Sequence, residues 1–228
     1  MASAGKVKAA EVALSEVKDG MVLGIGTGST VAVFIDLLGR RAAEEGLRLM
    51  GVPTSYQSAY LAAGAGIPLT TLDEHPVLDL AVDGTDEVDR RLNLIKGGGA
   101  ALTREKIVDS AAKRFVVIAD GSKLVEALGA RTALPIEVMP VARRTAMERI
   151  RLLGGEPRLR DGGGRKDGPC ISDNGNFIVD AKFKAIADAA GLERSLKLIP
   201  GVVEVGLFVG MANTAYIGGE RGAERLDR

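Results

Sequence analysis

Four stretches of the chain combine residue types that can hold an anion and move a proton. The first is Gly24-Ile25-Gly26-Thr27-Gly28-Ser29-Thr30. Small residues let a ligand approach the backbone, N–H groups at a helix start attract an anion, and the Thr27, Ser29 and Thr30 hydroxyls add donors. Ser29 stands where a dinucleotide loop needs a third glycine, and no lysine precedes Ser29 as in a nucleoside-triphosphate loop. A monophosphate fits better; the alternative is a tight turn without a ligand. The second stretch is Asp83-Gly84-Thr85-Asp86-Glu87. Close carboxylates suit acid–base work, though oxygen ligands also suit Mg²⁺, and Asp-Gly is ordinary turn chemistry. The third is Lys96-Gly97-Gly98-Gly99, followed by Glu105. Successive backbone donors beside a cation can stabilise a developing oxyanion. Glu105 reads either as a base or as an acidic residue that complements a helix N-terminus. The fourth is Asp120-Gly121-Ser122-Lys123, where Lys123 could reach the same anion as the first loop, or lie on a surface turn. Lys6 and Lys8, near the N-terminus, carry the same two readings. The single histidine, His75, precedes Pro76 and reads as a surface residue, and the single cysteine, Cys170, as a strand residue.

These stretches need a scaffold that presents strand ends. Apolar spacing predicts helices over 7–18, 31–38, 55–63 and 100–112, and strands over 21–25, 47–52, 78–82 and 115–119. The alternation implies an α/β fold, a Rossmann-like parallel sheet with helices on both faces. Ligands of such sheets bind beyond the carboxyl ends of the strands. After about residue 130 the pattern changes. Strands over 135–141, 156–160 and 202–205, helices over 145–153 and 185–198, and a hairpin of 170–172 with 177–179 about Asn174-Gly175 suggest a smaller inserted α+β domain of ferredoxin-like order. The expected division is 1–130 with 206–228 for the larger domain and 131–205 for the smaller. Residues 209–217 are expected to rejoin the main sheet.

Composition excludes several classes. The 228 residues carry 30 Lys and Arg against 30 Asp and Glu, so the chain lacks the basic excess of a generic nucleic-acid or acidic-membrane binder. Aromatics are 4%, with no Trp, which argues for an aliphatic core and against base-stacking platforms. One cysteine allows no internal disulfide and fits a reducing compartment. No apolar run has the length of a signal peptide or a membrane span. The expectation is a soluble, cytoplasmic protein with neither a nucleic-acid nor a membrane partner.

Together the stretches resemble ribose-5-phosphate isomerase, type A. The resemblance is carried by 24–30, Pro53-Thr54-Ser55, 83–87, Lys96-Gly97-Gly98-Gly99-Ala100-Ala101-Leu102-Thr103-Arg104-Glu105-Lys106, 119–123, Ser172-Asp173-Asn174-Gly175-Asn176, 199–203 and 206–208, in order over nearly the whole chain. It implies a cofactor-free, metal-free aldose–ketose isomerase that interconverts D-ribose 5-phosphate and D-ribulose 5-phosphate through an enediolate. By the same resemblance Glu105 is the base that moves a proton between C1 and C2. Asp83 assists opening of the furanose ring, with Asp86 beside it. Lys96 and the Gly97–Gly98 amides stabilise the enediolate oxygens. Thr27, Gly28, Ser29, Thr30, Gly84, Thr85, Gly99 and Lys123 complete the substrate-binding set, with Ser29, Thr30 and Lys123 at the phosphate and Lys6 a further candidate there. The family also implies a homodimer or a dimer of dimers.

The chain departs from the family pattern at Thr85, where alanine is usual, and in a longer 161–169 loop. Two other readings keep the scaffold and change the function. A sugar-phosphate sensor would carry a nucleic-acid-binding appendage or lack the base, whereas Glu105, Asp83 and Lys96 are all present. A sugar-phosphate deaminase or a CoA transferase could share the fold, which alone does not separate them; the deaminase needs a different acid–base set, commonly including histidine.

Overall fold

Val22–Ile25, Leu80–Asp83 and Phe115–Asp120 are buried along almost their whole length. Strands covered on both faces read this way, as near-continuous apolar runs. A computed structural model describes residues 3–164 and 166–228; Met1, Ala2 and Arg165, the last within the 161–169 loop, lie outside it. In chain order the elements are α1 (Ala4–Leu14), β1 (Val22–Ile25), α2 (Ser29–Glu45), β2 (Met50–Pro53), α3 (Tyr56–Gly64), β3 (Leu80–Asp83), β4 (Glu87–Val88), β5 (Leu94–Ile95), α4 (Leu102–Ser110) and β6 (Phe115–Asp120). They continue with β7 (Leu134–Val138), α5 (Arg143–Leu152), β8 (Glu156–Leu159), β9 (Phe177–Lys182), α6 (Ala189–Lys197), β10 (Val202–Val205), β11 (Leu207–Phe208), β12 (Thr214–Gly218) and β13 (Ala223–Asp227).

The chain divides into two compact units, Met1–Thr85 with Arg104–Leu124 and Gly210–Arg228, and Asp86–Thr103 with Val125–Val209. The sequence boundaries differ from these chiefly at residues 86–103, which group with the second unit.

In the first unit a six-stranded sheet runs β13-β12-β6-β3-β1-β2. The β2, β1, β3, β6 and β12 pairings are parallel, and only β13 is antiparallel. Alternate residues of β1 serve opposite faces. Leu23 and Ile25 join Val31, Phe34, Ile35 and Leu38 of α2, with Ala9, Ala10 and Ala13 of α1 and Ala62 of α3. Val22 meets Val108 of α4 on the other side. Helices therefore flank the sheet on both faces. The core is aliphatic apart from a few aromatics such as Phe34, Phe115 and Tyr216.

In the second unit β7-α5-β8-β9-α6-β10 forms an antiparallel sheet of order β10-β7-β9-β8, the ferredoxin-like arrangement expected. Its apolar face packs Ile136, Val138, Val179 and Ala181 against Ala146 and Ile150 of α5 and Leu196 of α6. Val205, Leu207 and Phe208 are buried within this unit. A three-stranded sheet, β11-β5-β4, was not foreseen. The hairpin expectation is met in part: the Asn174-Gly175 turn is present, with Gly175 N–H donating to the Ser172 carbonyl at 2.9 Å, but residues 170–172 form no strand, only the isolated bridge Ile171–Phe177. Cys170 is half-buried and not a strand residue. Among the described residues no helix is long and apolar enough to cross a membrane.

Candidate active site

In the first unit the Gly24–Thr30 turn joins β1 to α2. Gly28 is the N-cap of α2 with φ +110°, a conformation that favours glycine. Gly26 is demanded by proximity: a Cβ there would lie 2.1 Å from Asp83 Oδ1 and 2.6 Å from Asp83 Cα. The same oxygen accepts the Thr27 N–H at 3.0 Å and the Gly84 N–H at 2.6 Å. The carboxylate of Asp83, fully buried at the end of β3, thus pins the Gly24–Thr30 turn. The Thr27 hydroxyl is bonded to the hydroxyls of Thr54 and Ser55, each at 2.7 Å. Ser55 is also the N-cap of α3, in a reciprocal capping box with Ser58. The Gly28 N–H donates to Gln57 Oε1 at 3.1 Å.

Two lysines expected at a phosphate lie in this unit. Lys6 Nζ on α1 donates to Ser29 Oγ at 2.9 Å. Lys123 ends the short 3₁₀ turn Gly121–Lys123 that follows β6. Burial alone would raise the Asp120 carboxyl, but the Ser122 hydroxyl and N–H, then the charges of Lys123 and Lys6, outweigh it and hold it below its ordinary value. One carboxylate thus feels both lysines. Lys8 pairs instead with Glu11 on the α1 surface. His75 is half-buried in the loop before β3. Glu105 lies in the first turn of α4 and is 5% exposed.

In the second unit Asp86 Oδ2 accepts the Gly98 N–H at 2.7 Å, and the Asp86 N–H donates to the Ile95 carbonyl at 2.8 Å. Lys96 is 2% exposed, with Nζ 5.4 Å from the centre of the Phe208 ring. Glu87, which sequence grouped with the aspartates, is a loop anchor: fully buried, it accepts the N–H groups of Gly129, Arg131 and Thr132, each at 2.7 Å.

Two residues escaped the sequence. Arg160 Nη1 donates to the Gly97 carbonyl at 2.9 Å and the Gly98 carbonyl at 3.0 Å, while Nε and Nη2 hold the two Asp180 oxygens at 2.8 and 2.5 Å. Burial would lower the guanidinium, but the Asp180 bonds and charge, then Cys170 and Asp86, raise it above its ordinary value. Glu137 on β7, fully buried, accepts from Ser172 Oγ at 2.7 Å, Asn174 Nδ2 at 3.1 Å, Asn176 Nδ2 at 2.8 Å and the Thr103 hydroxyl. The Ser172–Asn176 motif is therefore a set of donors for one carboxylate, tied to the start of α4.

Comparison with known proteins agrees with this architecture. The family model for ribose 5-phosphate isomerase A (phosphoriboisomerase A) matches residues 50–222. A ribose-5-phosphate isomerase A of Methanothermobacter thermautotrophicus is 55% identical over 97% of this chain and 96% of its own. The solved ribose 5-phosphate isomerase A of Methanocaldococcus jannaschii superposes with a TM-score of 0.94 at 48% identity, covering 98% of each chain. A D-ribose-5-phosphate isomerase in complex with phospho-erythronic acid superposes at 0.95 and 47% identity, covering 98% of this chain and 97% of that one. Matched by the family model over residues 50–222 and by relatives about half identical along almost its full length, the chain belongs to the ribose 5-phosphate isomerase A family.

Proposed function

We propose that the chain interconverts D-ribose 5-phosphate and D-ribulose 5-phosphate by proton transfer through an enediolate. The observation that carries this reading, beside the family, is the burial of Glu105. A residue that only complements a helix end has no reason to be 5% exposed, whereas a base on carbon gains from exclusion of water. Lys6, Ser29, Thr30 and Lys123 hold the phosphate, which is uniform binding that anchors the substrate. Asp83, with one oxygen engaged by the anion loop, assists ring opening, and Asp86 acts beside it on the opened sugar. Glu105 takes the proton from C2 of the aldose and returns it at C1. Lys96 and the glycine amides other than Gly98, whose N–H is engaged by Asp86, meet the charge that develops on the oxygens at C1 and C2. Phospho-erythronic acid, which a relative binds, supports this reading: it places a carboxylate where an enediolate would carry its two oxygens and keeps the phosphate at the far end. No step calls for a cofactor.

The family resemblance implies a homodimer or a dimer of dimers; Val141 and Leu198 of the second unit, 89% and 82% exposed, are apolar side chains such a contact would cover. Sedimentation at several concentrations tests that association.

The decisive test incubates the protein with ribose 5-phosphate in D₂O and EDTA and follows the proton NMR spectrum. Ketose formation with deuterium entering at the exchangeable carbon supports the reading. Conversion lost in EDTA and restored by a divalent ion turns Asp83 and Asp86 into a metal question, and saturable binding without conversion favours a sensor. Glu105→Gln should lower kcat by about 10²–10⁴-fold, the usual cost of removing a general base. Near-normal turnover by that variant would refute the assignment.

A further inference from the structure

Three consecutive glycines give residues 97–99 the least self-ordering backbone a chain can have. Donors that stabilise an oxyanion work because they are fixed before the charge appears. Something outside the turn must therefore hold it. The Ala100 N–H closes the turn onto the Gly97 carbonyl at 3.0 Å, but a single turn bond does not orient the peptide planes. Arg160 does. A trans peptide is planar, with C=O and N–H on opposite sides. The peptide between Gly97 and Gly98 is held at both ends, its carbonyl by Arg160 Nη1 and its N–H by Asp86 Oδ2. The next peptide is held through the Gly98 carbonyl by the same nitrogen, so the Gly99 N–H faces away from the guanidinium. With the Gly98 N–H engaged by Asp86, Gly99 becomes the orientable donor of the run.

We propose that Arg160 is a positioning residue for catalysis, the clamp that fixes the Lys96–Gly99 turn in its donor-presenting form. The catalytic consequence rests on the isomerase reading. The clamp is itself built: Asp180 on β9 grips Arg160 through both oxygens. The Arg160 backbone is fixed too, its N–H on the Ile178 carbonyl and its carbonyl accepting from Cys170, both at 2.8 Å. An ammonium is a point charge and cannot serve the two carbonyls and the carboxylate in the planar fork that arginine supplies.

Steady-state kinetics on ribose 5-phosphate and amide exchange by NMR test the clamp in R160A, R160K and D180N. R160A should lose about 10- to 10²-fold in kcat with KM within about threefold, the signature of misplaced catalytic donors with phosphate binding intact. Guanidinium ion, below denaturing concentration, should restore part of the R160A rate, and R160K should remain impaired. The Gly98 amide, held by Asp86 Oδ2, should exchange faster in R160A. Unchanged kcat overturns the proposal, as does a loss matched by a rise in KM and deaf to guanidinium, which is the mark of a merely structural residue. If R160A does not fold, D180N decides: a lower kcat with faster exchange at Gly98 supports the clamp, and unchanged values overturn it. An unmutated protein that fails to turn over ribose 5-phosphate overturns the isomerase reading instead, while the exchange rates still decide whether Arg160 holds the turn.

Discussion

Asp83 is the residue on which the most local geometry depends. Its carboxylate fills the place where a side chain on Gly26 would begin and receives the Thr27 and Gly84 amides. Gly26→Ala must therefore push the loop and the carboxylate apart, and overpacking of this kind costs about 1–3 kcal/mol. The expected outcome is a Tm lower by about 2–4 °C per kcal/mol for a chain of this size, together with a disproportionate loss of kcat. A variant of unchanged kcat would show that Asp83 does not need its present position. Lys6 belongs to a different class. Its bond to Ser29 sets it on the turn that we propose holds the phosphate. Lys6→Ala should raise KM several-fold more than it lowers kcat, and should weaken competition by inorganic phosphate, both readable in steady-state kinetics. The Gly24–Thr30 turn was legible in the sequence because composition and position carry the same message there: small and hydroxylic residues between an apolar strand and an apolar helix. Arg160 was not, because its meaning lies in carbonyls 62 and 63 residues away, and one arginine after a strand has no pattern of its own.

Among the elements, α4 depends on an unusual support. The Thr103 hydroxyl at its start is bonded to Glu137, which also collects Ser172, Asn174 and Asn176. Asn174-Gly175 reads as a hairpin signal within a segment that also carries the family resemblance, and the turn is there. The buried acceptor that explains the rest of the motif sits on another strand, up to 39 residues away. Glu137→Gln replaces one acceptor oxygen by a donor that faces other donors, and a buried polar group left unmatched costs about 1–3 kcal/mol. Calorimetry should show the lower Tm, and kcat should fall with it because the first turn of α4 carries Glu105; an unchanged Tm would mean that water or a side-chain shift replaces the bond. The 161–169 loop closes on itself through the Asp161–Pro169 bridge and the Gly162 N–H to the Gly168 carbonyl at 2.9 Å. Shortening it beyond that neck should leave turnover within a few-fold, and a large loss of kcat would contradict this. The parallel strands were legible because burial on both faces makes them continuously apolar. The strands β4, β5 and β11 have two residues each, too few to show an alternation, and β13, with Glu224, Arg225 and Asp227, reads as polar because it is an exposed edge.

For the whole molecule, a balanced charge leaves acid stability to individual carboxylates. The fold holds Asp79 below its ordinary value through Lys113 and the Val22 amide, and Asp227 through Thr214, then Arg225. Bonds from Arg48 hold Asp19 down to about 2. A carboxylate whose folded value is depressed stabilises the fold above its unfolded value near 4, and this is lost as pH falls through the folded value. Urea midpoints should therefore decline between about pH 4 and pH 2, more shallowly in high salt because the Asp19 and Asp227 pairs are exposed. A flat profile would contradict the assignment. The order of the sheet has a different consequence, for the protein while it is being made. Strand β12 lies between β6 and β13, and the Tyr216 hydroxyl reaches back 200 residues to Glu16 at 2.5 Å. On the ribosome the second unit has all its strands once residue 209 has emerged, whereas the first still presents β6 as an open edge. Until residues 210–228 have emerged, that edge is a template for the wrong partner, so a chain stalled before residue 210 should be caught by chaperones or aggregate with its second unit already folded.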